Sequence, residues 1–222
     1  MKFKAIISSG IFIGILGVVF FSAKAVMVKM AYAYNVSSLH FLLFRMLFSL
    51  PFCLAIAIIY KQKGIKTTVT KDYIWLFFFG FVGYYLASYF DFLGLQYVKA
   101  GYERIILFVY PTLVVVILRI FLKIAIKKNQ TTAIFLTYLG IIITFWGEFS
   151  SEGNHLVLGT FLVFMSALTY ASYLVGSGWL IPKFGVLLFT SYAMMIATFC
   201  GCLHYVLIDR TSVFLYPKEV YF

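Results

Sequence analysis

The chain has 222 residues, of which 64% are hydrophobic and 11% charged, with a net charge of +11 and a mean hydropathy of +1.01. Soluble domains carry about a quarter charged residues, so the composition excludes an ordinary globular protein and describes a polytopic membrane protein. The excess bases stand in short clusters between apolar runs rather than along a polar stripe, which excludes a nucleic-acid footprint and reads as a topology signal.

A hydrocarbon core needs about twenty apolar residues per crossing helix, and that criterion predicts an all-α protein with seven spans, apolar nearly all round. The first runs near Ala5 to Met30. Lys2 and Lys4 ahead of it and Ala23-Lys24-Ala25 within it resemble a secretory leader, but the apolar stretch Ala5 to Ser22 exceeds the usual leader core and is read as a retained span. Gly10, Gly14 and Gly17 make a small-residue face that predicts close helix contact. Lys24, near the outer end, is expected to snorkel.

Span two, Leu39 to Tyr60, carries Arg45 about two turns deep. An ionised group inside a span costs about 2.5–3.5 kcal/mol on insertion scales, so Arg45 either pairs structurally or lines a polar cavity. Span three, Tyr73 to Leu95, offers Tyr84, Tyr85 and Tyr89 as one pathway wall. Asp91, Glu103 and Arg104 flank the outer turn after it. Glu103, in a first helical turn, is stabilised by the helix dipole. Asp91 and Arg104 bracket an outer vestibule and are expected to pair with each other or with a substrate.

In span four, Ile105 to Leu122, Pro111 predicts a mid-span kink with the Tyr110 hydroxyl beside it as a second pathway wall. Spans five, six and seven follow at Thr131 to Phe149, Val157 to Ile181 and Val186 to Ile208. Trp75, Trp146 and Trp179 fall near span ends, as interfacial anchors do. Cys53, Cys200 and Cys202 lie in apolar runs without metal or redox spacing, so they are read as buried, inert thiols, with no metal and no cofactor expected. His40, His155 and His204 fall near the outer face, far apart in sequence. The sequence has no G-x-S-x-G elbow, no H-E-x-x-H pair and no P-loop, and the last span lacks the lysine a retinal protein needs; no enzyme is expected.

Orientation follows from Lys and Arg in the loops. With the amino terminus inside, Lys2, Lys4, Lys61, Lys63, Lys66, Lys71, Arg119, Lys123, Lys127, Lys128 and Lys183 are cytoplasmic, against Lys29, Lys99, Arg104, Arg210 and Lys218 outside. A shift of 148 residues aligns Ala23 with Ala171, Leu39 with Leu187, Phe41 with Phe189, Met46 with Met194 and Tyr73 with Tyr221. Five spans in the first unit start the second in the opposite orientation, which is an inverted-topology repeat.

The most specific stretch reads Asp91-Phe92-Leu93-Gly94-Leu95-Gln96-Tyr97-Val98 with Ala100-Gly101, then Glu103-Arg104-Ile105 and Tyr110-Pro111-Thr112-Leu113. Phe44-Arg45-Met46-Leu47-Phe48, Leu139-Gly140-Ile141 with Gly147-Glu148, and Gly159 with Ala167-x-x-Tyr170-Ala171-x-Tyr173 accompany it. Together they resemble the EamA-type transporters of the drug/metabolite transporter superfamily. The resemblance implies two inverted five-helix repeats and proton- or exchange-coupled movement of amino acids, drugs or other small solutes through a bacterial inner (plasma) membrane. It implies no enzyme activity and no metal. Arg45, Asp91, Arg104 and Tyr110 are its substrate-pathway candidates. Residues 1–149 then form a complete first repeat, and residues 150–222 an incomplete second one of two helices and an outer tail. On that expectation the chain is a truncated carrier of doubtful activity, with half its cavity wall missing, or else a non-transporting subunit or the product of a broken gene. Its expected partners are the bilayer, a small solute, and a second copy or a complementing membrane chain.

Overall fold

The computed structural model describes residues 2–64, 69–145, 155–208 and 216. The described residues are helices joined by short turns and irregular segments, with no strand among them. Helix α1 covers Lys2–Ala33 and α2 Ser38–Gly64. Next come α3 (Thr70–Gly80), a π-helical turn (Phe81–Leu86) and α4 (Ala87–Tyr97), which form one continuous rod. Helices α5 (Ala100–Leu107) and α6 (Tyr110–Phe121) form a second, broken rod; α7 (Lys128–Phe145), α8 (Leu156–Phe184) and α9 (Val186–Ile208) follow.

Six stretches among the described residues are long and apolar enough to cross a membrane: Ile11–Ala33, Ser38–Tyr60, Thr70–Tyr97, Ala100–Phe121, Leu156–Phe184 and Val186–Ile208. The chain is an all-α, multi-pass membrane protein. The expected fifth span, Thr131 to Phe149, is represented by α7; its last four residues lie outside the described residues. So do Lys66, Trp146, Gly147, Glu148, Arg210, Lys218 and Tyr221.

Each rod buries one face. Helix α2 turns Leu39, Leu42, Leu43 and Met46 inward at i, i+3, i+4 and i+7 and leaves Phe48, Phe52 and Ile58 exposed, as a lipid-facing helix does. The broadest helix contacts are α2 with α9 and α4 with α8. The second depends on two glycines: a Cβ at Gly94 would meet Val163 Cγ2 at 2.5 Å, and one at Gly159 would meet Val98 Cγ1 at 2.7 Å. Such small residues let helix backbones approach closely where the membrane supplies no hydrophobic drive between helices. The expected small-residue face of α1 has no such role, because a Cβ at Gly14 or Gly17 would meet open space. Among its described side chains, α1 buries Ala25 and Val28 against the bundle and leaves Ile11, Phe12 and Val18 exposed.

Two features of the span ends differ from the sequence expectation. The turn after the third span shrinks to Val98-Lys99, so the fourth span starts at Ala100 rather than Ile105 and takes in both Glu103 and Arg104. The third span, at 28 residues, is about 42 Å long, longer than a hydrocarbon core of about 30 Å, so its first turn reaches the boundary. There Asp72 accepts from its own helix's leading Val69 N–H at 3.0 Å. Lys183, at the end of α8, donates to the same carboxylate at 2.5 Å and lies over the Trp179 ring at 4.8 Å. Trp75 meets Trp179 edge-on at 5.8 Å, so these two expected anchors share one end of the molecule.

Candidate functional site

A cavity of about 550 Å³ lies between the rods. Helix α1 contributes Phe20, Phe21 and Lys24 to its wall, α2 contributes Arg45, and α4 contributes Ala87, Ser88 and Asp91. The π turn adds Gly83 and Tyr84, and the broken rod adds Arg104, Leu107, Phe108 and Tyr110. Ser166 and Tyr170 of α8 and Met194 of α9 close the far side. All four sequence candidates, Arg45, Asp91, Arg104 and Tyr110, therefore border one space.

The charges are arranged as two neutralised pairs and one cation. Asp91 is 2% exposed because α4 turns it inward with Ala87, Phe92 and Leu95. Its partner is the Lys24 ammonium, so the expected pairing with Arg104 is not made. Lys24 does not snorkel: it sits on the bundle side of α1 beside Ala25 and Val28, where a carboxylate lies within reach. Glu103, fully buried, lies 3.8 Å from Lys24 and 3.3 Å from Arg104 Nε. It occupies the first turn of α5, as expected from the helix dipole, but its side chain faces two cations. Arg104 also donates to the Phe21 carbonyl at 2.9 Å and stacks over the Phe21 ring at 4.9 Å. Buried charges are costly unless paired: Lys24–Asp91 ties α1 to α4, and the Lys24–Glu103 and Arg104–Phe21 contacts tie α1 to α5, while Asp91 Oδ1 and both Glu103 carboxylate oxygens have no hydrogen-bond partner.

Arg45 is different. Its Nη2 donates to Ser88 Oγ at 2.7 Å and its guanidinium lies 5.1 Å from the Phe92 ring centroid, while its buried Nε has no hydrogen-bond partner. Among the described residues no carboxylate lies within 4.0 Å of it. Phe92, fully buried, also carries Lys24 at 5.7 Å, so one aromatic face supports both cations through its quadrupole.

Tyrosines form the rest of the wall. Tyr110 meets Tyr170 edge-on at 5.4 Å, and Tyr84 meets Tyr173 at 5.1 Å. The π turn separates the adjacent Tyr84 and Tyr85: Tyr84 enters the cavity while Tyr85 hydrogen-bonds His204 of α9 and stacks on Tyr89. Of the three tyrosines expected as a wall, only Tyr84 lines it. A Cβ at Gly83 would overlap the Tyr173 ring, so this turn requires glycine where α8 approaches. The expected kink is present: the rod breaks at Phe108-Val109, and Pro111 opens α6, where its missing N–H is harmless. His40 contacts Tyr216 at 2.5 Å and His155 meets Tyr97 edge-on at 5.7 Å, away from the cavity. The three thiols are free and half-buried rather than fully buried.

A family model described as the EamA-like transporter family matches residues 8–146. The chain belongs to this family. The match takes in every charged residue of the cavity, whereas Ser166, Tyr170 and Met194 lie beyond it. This EamA-like chain is also similar to the protein named "Uncharacterized transporter YcbK" of Bacillus subtilis (strain 168), with 27% identity over 190 residues. That alignment covers 82% of this chain and 59% of the relative, so the chain spans less than two thirds of the curated relative it matches. No solved structure gives a significant match.

The residues that sequence reasoning missed are Lys24 as an ion-pair partner, Glu103 as a buried counterion, Phe92, Ser88 and Tyr170. Lys24 was legible in one respect: it shares a helical face with Ala25 and Val28, the side of α1 that meets the bundle.

Proposed function

We propose that the chain contributes the solute pathway of a drug/metabolite-type carrier that moves small metabolites, such as amino acids or drugs, across a bacterial plasma membrane. The observation that carries this reading is the cavity itself, which sets buried charges of both signs and three tyrosines around a volume typical of small-molecule sites. Ionisable groups deep in apolar spans are costly and mark pathways, and broken helices beside such a space are a recurrent feature of carriers. Arg45, Asp91, Arg104 and Tyr110 are the pathway residues, with Lys24 and Glu103 holding their charges in place.

The Lys and Arg bias supports a cytoplasmic amino terminus. The family match over residues 8–146 and the close packing of α2 on α9 support residues 1–149 as one repeat and 150–222 as part of a second, inverted one. Reconstitution of the purified chain in vesicles loaded with labelled amino acids, small organic acids and cationic drugs tests the reading. Solute release above that of empty vesicles, lost in Arg104→Gln, is expected; release that is absent throughout the panel refutes it.

A further inference from the structure

The cavity contains more positive than negative charge. Lys24 with Asp91, and Arg104 with Glu103, account for both carboxylates, and Arg45 remains as the third cation. Its Nε is buried and unpartnered while its other end is anchored on Ser88 and Phe92. Arg45 thus lines the cavity with one buried N–H that has no protein acceptor, and the parallel N–H donors of a guanidinium match a carboxylate.

From this geometry we infer that Arg45 is the anion-recognition residue of the cavity and that the preferred solute is a small organic monoanion whose carboxylate docks on the guanidinium. The inference rests on the carrier reading above and deepens it. Tyr84, Tyr110 and Tyr170 give the rest of the solute an aromatic bed with hydroxyl tips, which suits a flat apolar body. A net monoanion cancels the excess charge. A cation adds to it, and a zwitterion leaves it as it was; the ammonium of a zwitterion would also have to compete with Lys24 for Asp91.

The test is calorimetric binding to the purified chain in detergent of phenylacetate, its neutral isostere phenylacetamide, 2-phenylethylammonium and the zwitterion phenylalanine. Phenylacetate is expected to bind saturably, with the amide and the ammonium weaker by roughly 10- to 100-fold, as loss of a charge-assisted hydrogen bond implies. Arg45→Gln removes the preference, and Arg45→Lys, which keeps the charge without the fork, retains part of it. The ligand panel on the unmodified chain decides the point even where a variant fails to fold. Equal binding of acid and amide overturns the inference, as does tighter binding of the ammonium or the zwitterion, or no saturable binding of phenylacetate. Vesicle flux of the same compounds separates the two readings. Arg45-dependent binding without flux refutes the carrier reading and leaves the anion site standing, whereas flux indifferent to charge and to Arg45 does the reverse.

Discussion

Lys24 serves two carboxylates, and this gives an ordered prediction. Its ammonium pairs with Asp91 and lies 3.8 Å from Glu103, with its side chain 18% exposed against 3% and 0% for the acids. Replacing it with methionine leaves Asp91 buried without its cation, while Glu103 keeps Arg104. Breaking a buried pair by removing one partner costs about 3–5 kcal/mol. Asp91→Leu leaves Lys24 with Glu103 still at hand, so that loss is smaller, about 1–3 kcal/mol. The double variant Lys24→Met, Asp91→Leu replaces the pair with apolar volume, which is close to neutral where packing is kept. The single losses are therefore non-additive: with the double variant near neutral, the coupling equals the sum of the two single losses, about 4–8 kcal/mol. Graded unfolding in mixed detergent micelles, followed by tryptophan fluorescence, reads all four corners of the cycle. Additive losses, or a larger loss for Asp91→Leu than for Lys24→Met, would refute the assignment of Lys24 as the shared counterion.

The same unfolding assay separates the glycines. Gly94→Ala forces a methyl against Val163 and should cost about 1–3 kcal/mol, whereas Gly14→Ala meets open space and should gain up to about 1 kcal/mol from helix propensity. The Asp72–Lys183 pair, with Lys183 31% exposed, lies at the end of the bundle, where salt screens it. The penalty of Lys183→Met should therefore shrink as ionic strength rises, while that of Lys24→Met should not. Pro111→Ala opens no cavity, since Pro111 stands at the first position of α6. It should leave the unfolding midpoint nearly unchanged and reduce vesicle flux by letting the break at Phe108-Val109 straighten and carry Tyr110 out of the wall.

Hydropathy alone located the spans because a bilayer rewards length and apolarity without regard to which helix packs where. The four pathway candidates were legible for the same reason. A charge or a proline inside an apolar run must be satisfied by something, and Arg45, Asp91, Arg104 and Tyr110 all border the space that satisfies them. What the sequence could not supply was the partner. Whether Lys24 snorkels or pairs depends on whether a carboxylate from another helix reaches it, and sixty-seven residues separate it from Asp91. Gly14 and Gly17 satisfy the small-residue rule as well as Gly94 and Gly159 do, yet only the second pair has a neighbour, because the rule describes a helix surface and not what lies opposite it. The π turn left no periodic trace, although it sends Tyr84 and Tyr85 to different sides and so decides which tyrosine lines the cavity.

The cavity's electrostatics follow from this division between what is local and what is not. Asp91 and Glu103 sit on separate helices, each beside a cation that also contacts Phe21 or Phe92, so these contacts hold α1 against α4 and α5 with no direct ion pair to Arg45. A charged solute is selected by a binding group whose charge is not already neutralised by its own scaffold, because only such a group adds a net electrostatic attraction. Arg45 meets that condition. Its guanidinium is supported by an aromatic face and a hydroxyl, both of which can remain in place when an anion arrives and when it leaves.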